Sequence, residues 1–337
     1  MKKRKNKGSH INEKSVDSKS KYIKDIEDVK NEISKLIVGQ DMIIEAIIRA
    51  ILAKGHVLIE GVPGIAKTVL IRTISQTTGC KFSRIQFTVD LLPADITGIT
   101  TYTPGKGFET IKGPIFSNFI IADEINRAPP KTQSALLEAM QERQVTIGKN
   151  TYKLEPPFFV MANNNPLESS GTYKLPEAQI DRFLFKLKMG YPEIEHEEMI
   201  IDKNITTRDF EDFNISKILS PSKILRLQEL TRDFRSSPQI SKYIVRIVDA
   251  TRNPKKYNLK LGKYIDYGAS PRASIALDIA AKADAVMKGQ KIVLPQNIKN
   301  ISHDVLRHRI LLNYEGQVEN IDNDKIVDEI LSKIKVP

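Results

Sequence analysis

A single cysteine, Cys80, is all the thiol chemistry this 337-residue chain carries, which excludes an internal disulfide and a thiolate zinc cluster. It sits in Gly79-Cys80-Lys81-Phe82 at the start of a predicted strand, so a packed thiol in a reducing cytoplasm is expected. Long apolar runs are missing too. Nothing approaches the roughly 18–20 residues of a membrane span, and the N-terminus has charge but no apolar h-region, so neither membrane insertion nor export is expected. Histidine is scarce, with five residues. His196-Glu197-Glu198-Met199-Ile200 lacks the second histidine of a zinc-protease helix. His303 and His308 do not share a helical face well, so these histidines read as surface or packing residues.

Hydrophobic residues make up 40% of the chain, enough for sizeable cores over a length that suits two domains. The formal charge of +11 invites a nucleic-acid reading, and its distribution weakens that reading. Residues 1–24 hold nine Lys/Arg against two Asp/Glu, whereas the remainder holds 43 against 39. The excess lies in a Ser/Asn/Lys-rich stretch with almost no apolar content, so residues 1–21 are predicted to be a disordered basic tail. Folding is predicted to start near Tyr22, where Ile23, Ile26, Val29, Ile33, Leu36 and Ile37 fall at helical spacing.

Two motifs carry chemistry. Gly61-Val62-Pro63-Gly64-Ile65-Ala66-Lys67-Thr68 directly follows the run His56-Val57-Leu58-Ile59-Glu60 and precedes a predicted helix from Lys67 to Thr78 that ends at Gly79. A strand, a tight loop of small residues and a helix start form a phosphate cradle: backbone N–H groups and Val69 at the helix start face the phosphates, Lys67 reaches the terminal ones, and the Thr68 hydroxyl suits Mg²⁺. Ala66 replaces the glycine usual before the lysine, which predicts a negative φ there. The second motif is Asn118-Phe119-Ile120-Ile121-Ala122-Asp123-Glu124, an apolar strand ending in adjacent acids. Asp123 is placed to hold Mg²⁺, and Glu124 to orient and deprotonate water.

Short β-type runs at 84–88, 119–122, 158–162 and 183–187 alternate with helical stretches, which implies a mostly parallel sheet covered on both faces. Asp41 to Ala53 reads as a helix N-capped by Asp41. Two hairpin insertions are predicted, one within 93–114 and one within 144–155 around Gly148-Lys149-Asn150. After Tyr191-Pro192 the pattern turns to helices only, at 193–203, 221–233, 239–252, 271–288 and 298–312, with Ser270-Pro271 starting one of them as N-cap and N1. The domain boundary is placed near Gly190.

Between 118 and 182 a family resemblance becomes close. Asp123-Glu124-Ile125-Asn126-Arg127-Ala128-Pro129-Pro130-Lys131-Thr132-Gln133-Ser134-Ala135-Leu136-Leu137-Glu138-Ala139-Met140-Gln141-Glu142-Arg143-Gln144-Val145 resembles the signature of the MoxR family of AAA+ ATPases. The phosphate loop, alanine included, is similar to that family's as well. The resemblance is strong over about 32–190 and reaches the helical part mainly through Gly268-Ala269-Ser270-Pro271-Arg272. It implies an α/β P-loop NTPase core with a parallel sheet over 22–190, followed by an all-helical lid over 191–337. Ala162-Asn163-Asn164-Asn165-Pro166 resembles the sensor-1 segment, with Asn165 positioning water and γ-phosphate and Asn164 able to share the contact. Leu175-Pro176-Glu177-Ala178-Gln179-Ile180-Asp181-Arg182-Phe183 is similar to the arginine-finger segment, with Arg182 as the finger. Arg272 corresponds to sensor 2, and Val38-Gly39-Gln40 borders the adenine pocket.

The resemblance further implies ATP and Mg²⁺ as ligands, a homo-oligomeric ring, most often a hexamer, and chaperone-like remodelling of client proteins beside a partner with a von Willebrand factor A domain. Two other readings stay open. A DNA-acting motor has some footing in the basic tail and in Lys149 and Lys153 on the second hairpin, although no aromatic-rich basic face accompanies them. A nucleotide-gated adaptor with little turnover sits poorly with Glu124, Asn165 and Arg182 all present.

Overall fold

The computed structural model describes residues 13–62, 64–105, 107–165, 171–203 and 210–337. Its first elements are α1 (Glu13–Ile33), α2 (Asp41–Leu52), β1 (Val57–Gly61), α3 (Lys67–Thr78), β2 (Phe82–Gln86), α4 (Pro93–Thr97), β3 (Gly98–Thr103), β4 (Gly107–Lys112) and β5 (Phe119–Asp123). Next come α5 (Pro130–Glu142), β6 (Gln144–Ile147), β7 (Asn150–Lys153), β8 (Phe159–Asn164), α6 (Glu177–Ile180) and β9 (Phe185–Met189). The remaining elements are α7 (Ile194–Lys203), α8 (Pro221–Asp233), α9 (Pro238–Arg252), β10 (Ile265–Tyr267), α10 (Pro271–Met287), α11 (Pro295–Leu306), β11 (Leu311–Leu312), α12 (Tyr314–Val318) and α13 (Asn323–Lys333).

Five strands form one parallel sheet in the order β2-β5-β8-β1-β9. Because successive strand side chains point to opposite faces, each inner strand feeds two cores. Val57, Ile59, Phe119, Ile121, Phe159 and Met161 join one apolar cluster. Their neighbours Leu58, Ile120, Ala122, Val160 and Ala162 join a second one with Leu136, Leu137 and Met140 of α5. The first cluster also takes in α1, α2, α3 and the helices α8 to α11 and α13. Apolar packing therefore continues from the sheet into the helical region.

Both hairpins are present. β3 and β4 pair from Gly98↔Lys112 to Thr103↔Gly107, and β6 and β7 pair from Gln144↔Lys153 to Ile147↔Asn150. The turn between β6 and β7 uses the left-handed conformation that Gly148 adopts, at φ +59°. The Tyr152 hydroxyl donates to Thr110 Oγ1 at 3.1 Å and ties the hairpins together.

Several local expectations are corrected. The first helix starts at Glu13, not near Tyr22. Lys and Glu are good helix formers and extend a helix that Ile26, Val29 and Ile33 anchor, so residues 13–21 are not the disordered tail predicted, while residues 1–12 lie outside the described residues. Gln40 is the residue ahead of α2, and Asp41 begins the helix itself. The helix expected over 298–312 ends at Leu306, since Leu311 and Leu312 pair with Tyr267 and Ile265 in a small antiparallel sheet within the helical region. The Ser270–Pro271 start is as expected, with Ser270 Oγ accepting the Arg272 N–H at 3.2 Å.

His56, just ahead of β1, is buried and ties β8 to α5. Its Nδ1 accepts the Val160 N–H at 3.0 Å, which leaves Nε2 to carry the proton toward the Met140 carbonyl at 3.2 Å. Burial holds its pKa down at about 4, and His308, buried beside Arg309, is also pushed well below the usual range. Both imidazoles fold neutral, so the unfolded chain binds protons first as pH falls. Their contribution is complete above about 6.5 and is lost as pH drops toward 4. In His56→Gln the fall in unfolding free energy between pH 6.5 and 4.5 should be shallower by up to about 1.4 kcal/mol per pH unit. Urea titrations of both proteins across that range test this; parallel slopes refute it.

Candidate nucleotide-hydrolysis site

The site lies where the parallel strands end, since in an open parallel sheet their carboxyl ends leave a crevice. The loop after β1 leads straight into α3. At Gly61 a Cβ would meet the Met189 carbonyl oxygen at 2.4 Å, so β9 requires glycine there. Gly64 has φ +82°, and a Cβ there would meet nothing within 4 Å, which leaves the loop open on its outer side. Val62, half-buried Thr68 and Val69 flank this opening, while Pro63 lies outside the described residues.

Ala66 departs from expectation: its φ is +59°, in the left-handed region, and not negative. For an L-residue this costs about 1–2 kcal/mol, which the surrounding loop and helix start must offset.

Lys67 is buried, and its Nζ donates to the Gly61 carbonyl at 2.6 Å. Burial lowers its pKa, while the carboxylates of Asp123 and Glu124 raise it, so the structure brings the three charges together. Glu124 also has a left-handed backbone, at φ +56°. Asn163 supports it: its Oδ1 accepts the Glu124 N–H at 2.5 Å, and its Nδ2 donates to Asp123 Oδ1. The Glu124 carboxylate accepts from Gln86 Nε2 at 2.8 Å and pairs with Arg127 Nε at 3.0 Å. Arg84 reaches Asp123 Oδ2 from β2, at 2.6 and 3.0 Å.

The sequence reading did not single out Asn163, Gln86, Arg84 or Arg127 for this site. Two weak signals were available, polar residues at the end of β2 and a run of three asparagines at the end of β8. Only strand register shows which of them faces the acids: Gln86 pairs with Asp123, and Asn163 with Ile59. Asn165 is buried just beyond β8, and Asn164 Oδ1 is buried with no hydrogen-bond partner among the described residues.

Val38, Gly39 and Gln40 lie beside the loop. Leu36, Ile37, Val38, Gln40, Ile65 and Tyr191 line a cavity of about 420 Å³ whose walls are mostly apolar, and the His196 ring packs on Gly39. The Arg272 Nη1 is 3.6 Å from Asp181 Oδ2, and the exposed Arg182 side chain has no partner among the described residues. The oxygen donors of Thr68 and Asp123 are of the type Mg²⁺ takes. The open turn at Gly64, the orphaned Asn164 oxygen and the adjoining cavity fit a nucleotide.

A phosphate loop and paired acids at the ends of parallel strands that flank β8, with a helical region packed against the same sheet, define an AAA+ ATPase. A family model described as the ATPase family associated with various cellular activities matches residues 56–185, and an AAA lid domain model matches 262–330. Chaperone MoxR1 of Mycobacterium tuberculosis is 44% identical over 308 residues, 91% of this chain and 81% of that protein. Protein MoxR of Methylorubrum extorquens is 30% identical over 315 residues, 88% of this chain and 91% of that one. A crystal structure of a Cytophaga hutchinsonii protein assigned to the ATPases superposes with a TM-score of 0.90 at 45% identity, covering 96% of this chain and 98% of that one. The chain belongs to the MoxR family of AAA+ ATPases. Among the described residues no helix is long and apolar enough to cross a membrane.

Two outcomes follow from the geometry. Ala66→Gly relieves the left-handed strain at some cost in unfolded-chain entropy, so its urea midpoint should rise by the equivalent of about 0.5–1 kcal/mol; a lower midpoint contradicts the strain argument. Asn163→Ala leaves the Glu124 N–H and Asp123 without their shared partner. It should lose on the order of 10²-fold in turnover with ATP affinity little changed, as steady-state rates and calorimetry would show.

Proposed function

We propose that this protein hydrolyses ATP with Mg²⁺ as a homo-oligomeric ring, a hexamer, in the cytoplasm, and couples hydrolysis to chaperone-like remodelling of client proteins. The observation that carries the reading is that Lys67 lies within electrostatic reach of Asp123 and Glu124 where the parallel strands end, with Asn163 holding the two acids. The chaperone name of the mycobacterial relative favours client remodelling over the DNA-motor and adaptor readings. A partner with a von Willebrand factor A domain belongs to the same reading.

In this mechanism Glu124 accepts a proton from the attacking water, and Asn165 orients that water. Lys67 and Arg272 place fixed positive charge against the phosphoryl oxygens, where charge develops as the bond breaks. Arg182 delivers a guanidinium to the neighbouring subunit's site; its exposure and lack of a partner among the described residues support that role. Val38, Gly39 and Gln40 border the base, with the cavity beside them as its seat. Mg²⁺, held by Thr68 and Asp123, would neutralise phosphate charge. Two contacts restrain the base itself. A carboxylate paired with Arg127 and hydrogen-bonded to Gln86 is a weaker proton acceptor, so Glu124 must release at least Arg127 before it acts.

Lys67→Ala should lose ATP binding and turnover together, whereas Glu124→Gln should bind ATP and fail to turn over. Equal loss of affinity in both variants by calorimetry would refute this division of labour. Arg182→Ala should bind ATP and lose about 10³-fold or more in rate. Mixed with Lys67→Ala, which keeps its finger, it should regain activity in rings verified by light scattering. Mixed rings that form and stay inactive at every ratio argue against Arg182 as a finger in trans.

A further inference from the structure

Arg309 follows α11 and is almost completely enclosed, with a side chain 3% exposed. A guanidinium has five N–H donors, and here every one is used. Nε donates to Asp181 Oδ1 at 2.7 Å. Nη2 donates to the carbonyls of Asp181 at 3.1 Å and Phe183 at 2.7 Å. Nη1 donates to Leu184 O at 3.2 Å and to Val305 O. Four of the five bonds therefore fall on residues 181–184, the segment that carries Arg182. The two preceding residues act on the same stretch, with His308 Nε2 at 3.2 Å from Phe183 O and Arg307 Nη1 donating to Lys186 O at 2.6 Å.

Asp181 is the reciprocal half of this junction. Burying a guanidinium without a carboxylate is costly, and Asp181 counters the burial that draws the Arg309 pKa down. Its second oxygen accepts from Ser270 Oγ at 3.0 Å and faces Arg272 at 3.6 Å. One carboxylate, adjacent in sequence to Arg182, is thus held from the start of α10 and from the segment just after α11. The backbone around Arg182 is fixed while its side chain projects outward, an arrangement that suits a group required to meet a target outside its own subunit with small positional error.

We propose that Asp181 and Arg309 are positioning residues for Arg182, so that the lid of one subunit sets the finger it presents to the next. The proposal rests on the reading of Arg182 as a finger in trans. It predicts a defect that travels with the subunit donating the finger, which a general packing role would not produce.

The test uses mixed rings of full-length protein, with assembly followed by light scattering and each variant checked for folding by circular dichroism. Lys67→Ala donates a finger to Arg182→Ala, and this pair is the control. Adding Arg309→Lys to the Lys67→Ala donor should cut the regained rate by on the order of 10–100-fold. Adding Arg309→Lys to the Arg182→Ala acceptor, whose own finger is already gone, should change it little. Asp181→Asn in the donor, which keeps the side chain's size, should reproduce the donor defect. With a working control, equal losses in donor and acceptor, or no loss in the donor, overturn the positioning role alone. A control that stays inactive in assembled rings refutes the trans finger and this proposal with it.

Discussion

Parallel pairing of β5, β8 and β1, buried on both faces, is the constraint on which the site depends. It aligns the ends of three strands that are far apart in sequence and orders them so that β8 separates the phosphate-loop strand from the acid-bearing strand. Asn163 can therefore touch Asp123 and Glu124 together. A register slip of one residue would turn Asn163 to the opposite face and carry the alternating apolar residues into the wrong core. The packing that stabilises the sheet thus also fixes the chemistry at its edge.

Two residues of the site have left-handed backbones without being glycine, Ala66 before the phosphate-loop lysine and Glu124 after the acid strand. Such conformations persist where the surroundings over-determine them. At Ala66 the following helix begins immediately and its first residue, Lys67, is anchored to the Gly61 carbonyl. At Glu124 the side chain of Asn163 takes the backbone N–H, while Gln86 and Arg127 hold the carboxylate. The sharp turn after β5 aims Glu124 back toward the β2 edge, whereas a residue continuing the strand would point along it.

The helical region is joined to this sheet by more than a linker. One apolar cluster spans both, and α2 contributes Arg49 to a buried pair with Asp284 of α10 at 2.7 Å, with Asn297 of α11 donating to the same carboxylate. Each charge also has a second partner, Glu45 for Arg49 at 2.6 Å and Lys288 for Asp284 at 2.9 Å, so the junction is a network of four charges. Together with the Asp181–Arg309 junction, this places polar ties on two sides of the apolar contact. Movement between the two regions must break or carry these ties.

Much was legible in the chain alone. The helix from Lys67 to Thr78, the apolar strand closed by Asp123 and Glu124, both hairpins and the Ser270–Pro271 helix start each rest on neighbours in sequence, through periodicity, turn chemistry and capping. Local signals failed where the deciding partner was distant. Leu311 and Leu312 fit a helical pattern and became a strand because Ile265 and Tyr267 were there to pair with them. The left-handed φ of Ala66, where the motif usually has glycine, belongs to the turn that enters α3, and the alanine itself does not reveal it. Asn163, Gln86, Asp181 and Arg309 owe their positions to strand register and to packing between segments more than a hundred residues apart in the last case. Which residues are candidates for phosphate and proton chemistry was legible in the order of the residues, because such candidacy rests on residue types and short spacings. Which side chains hold those groups in place was settled by the folded chain, because hydrogen bonds of about 3 Å depend on register and burial that long-range contacts alone create.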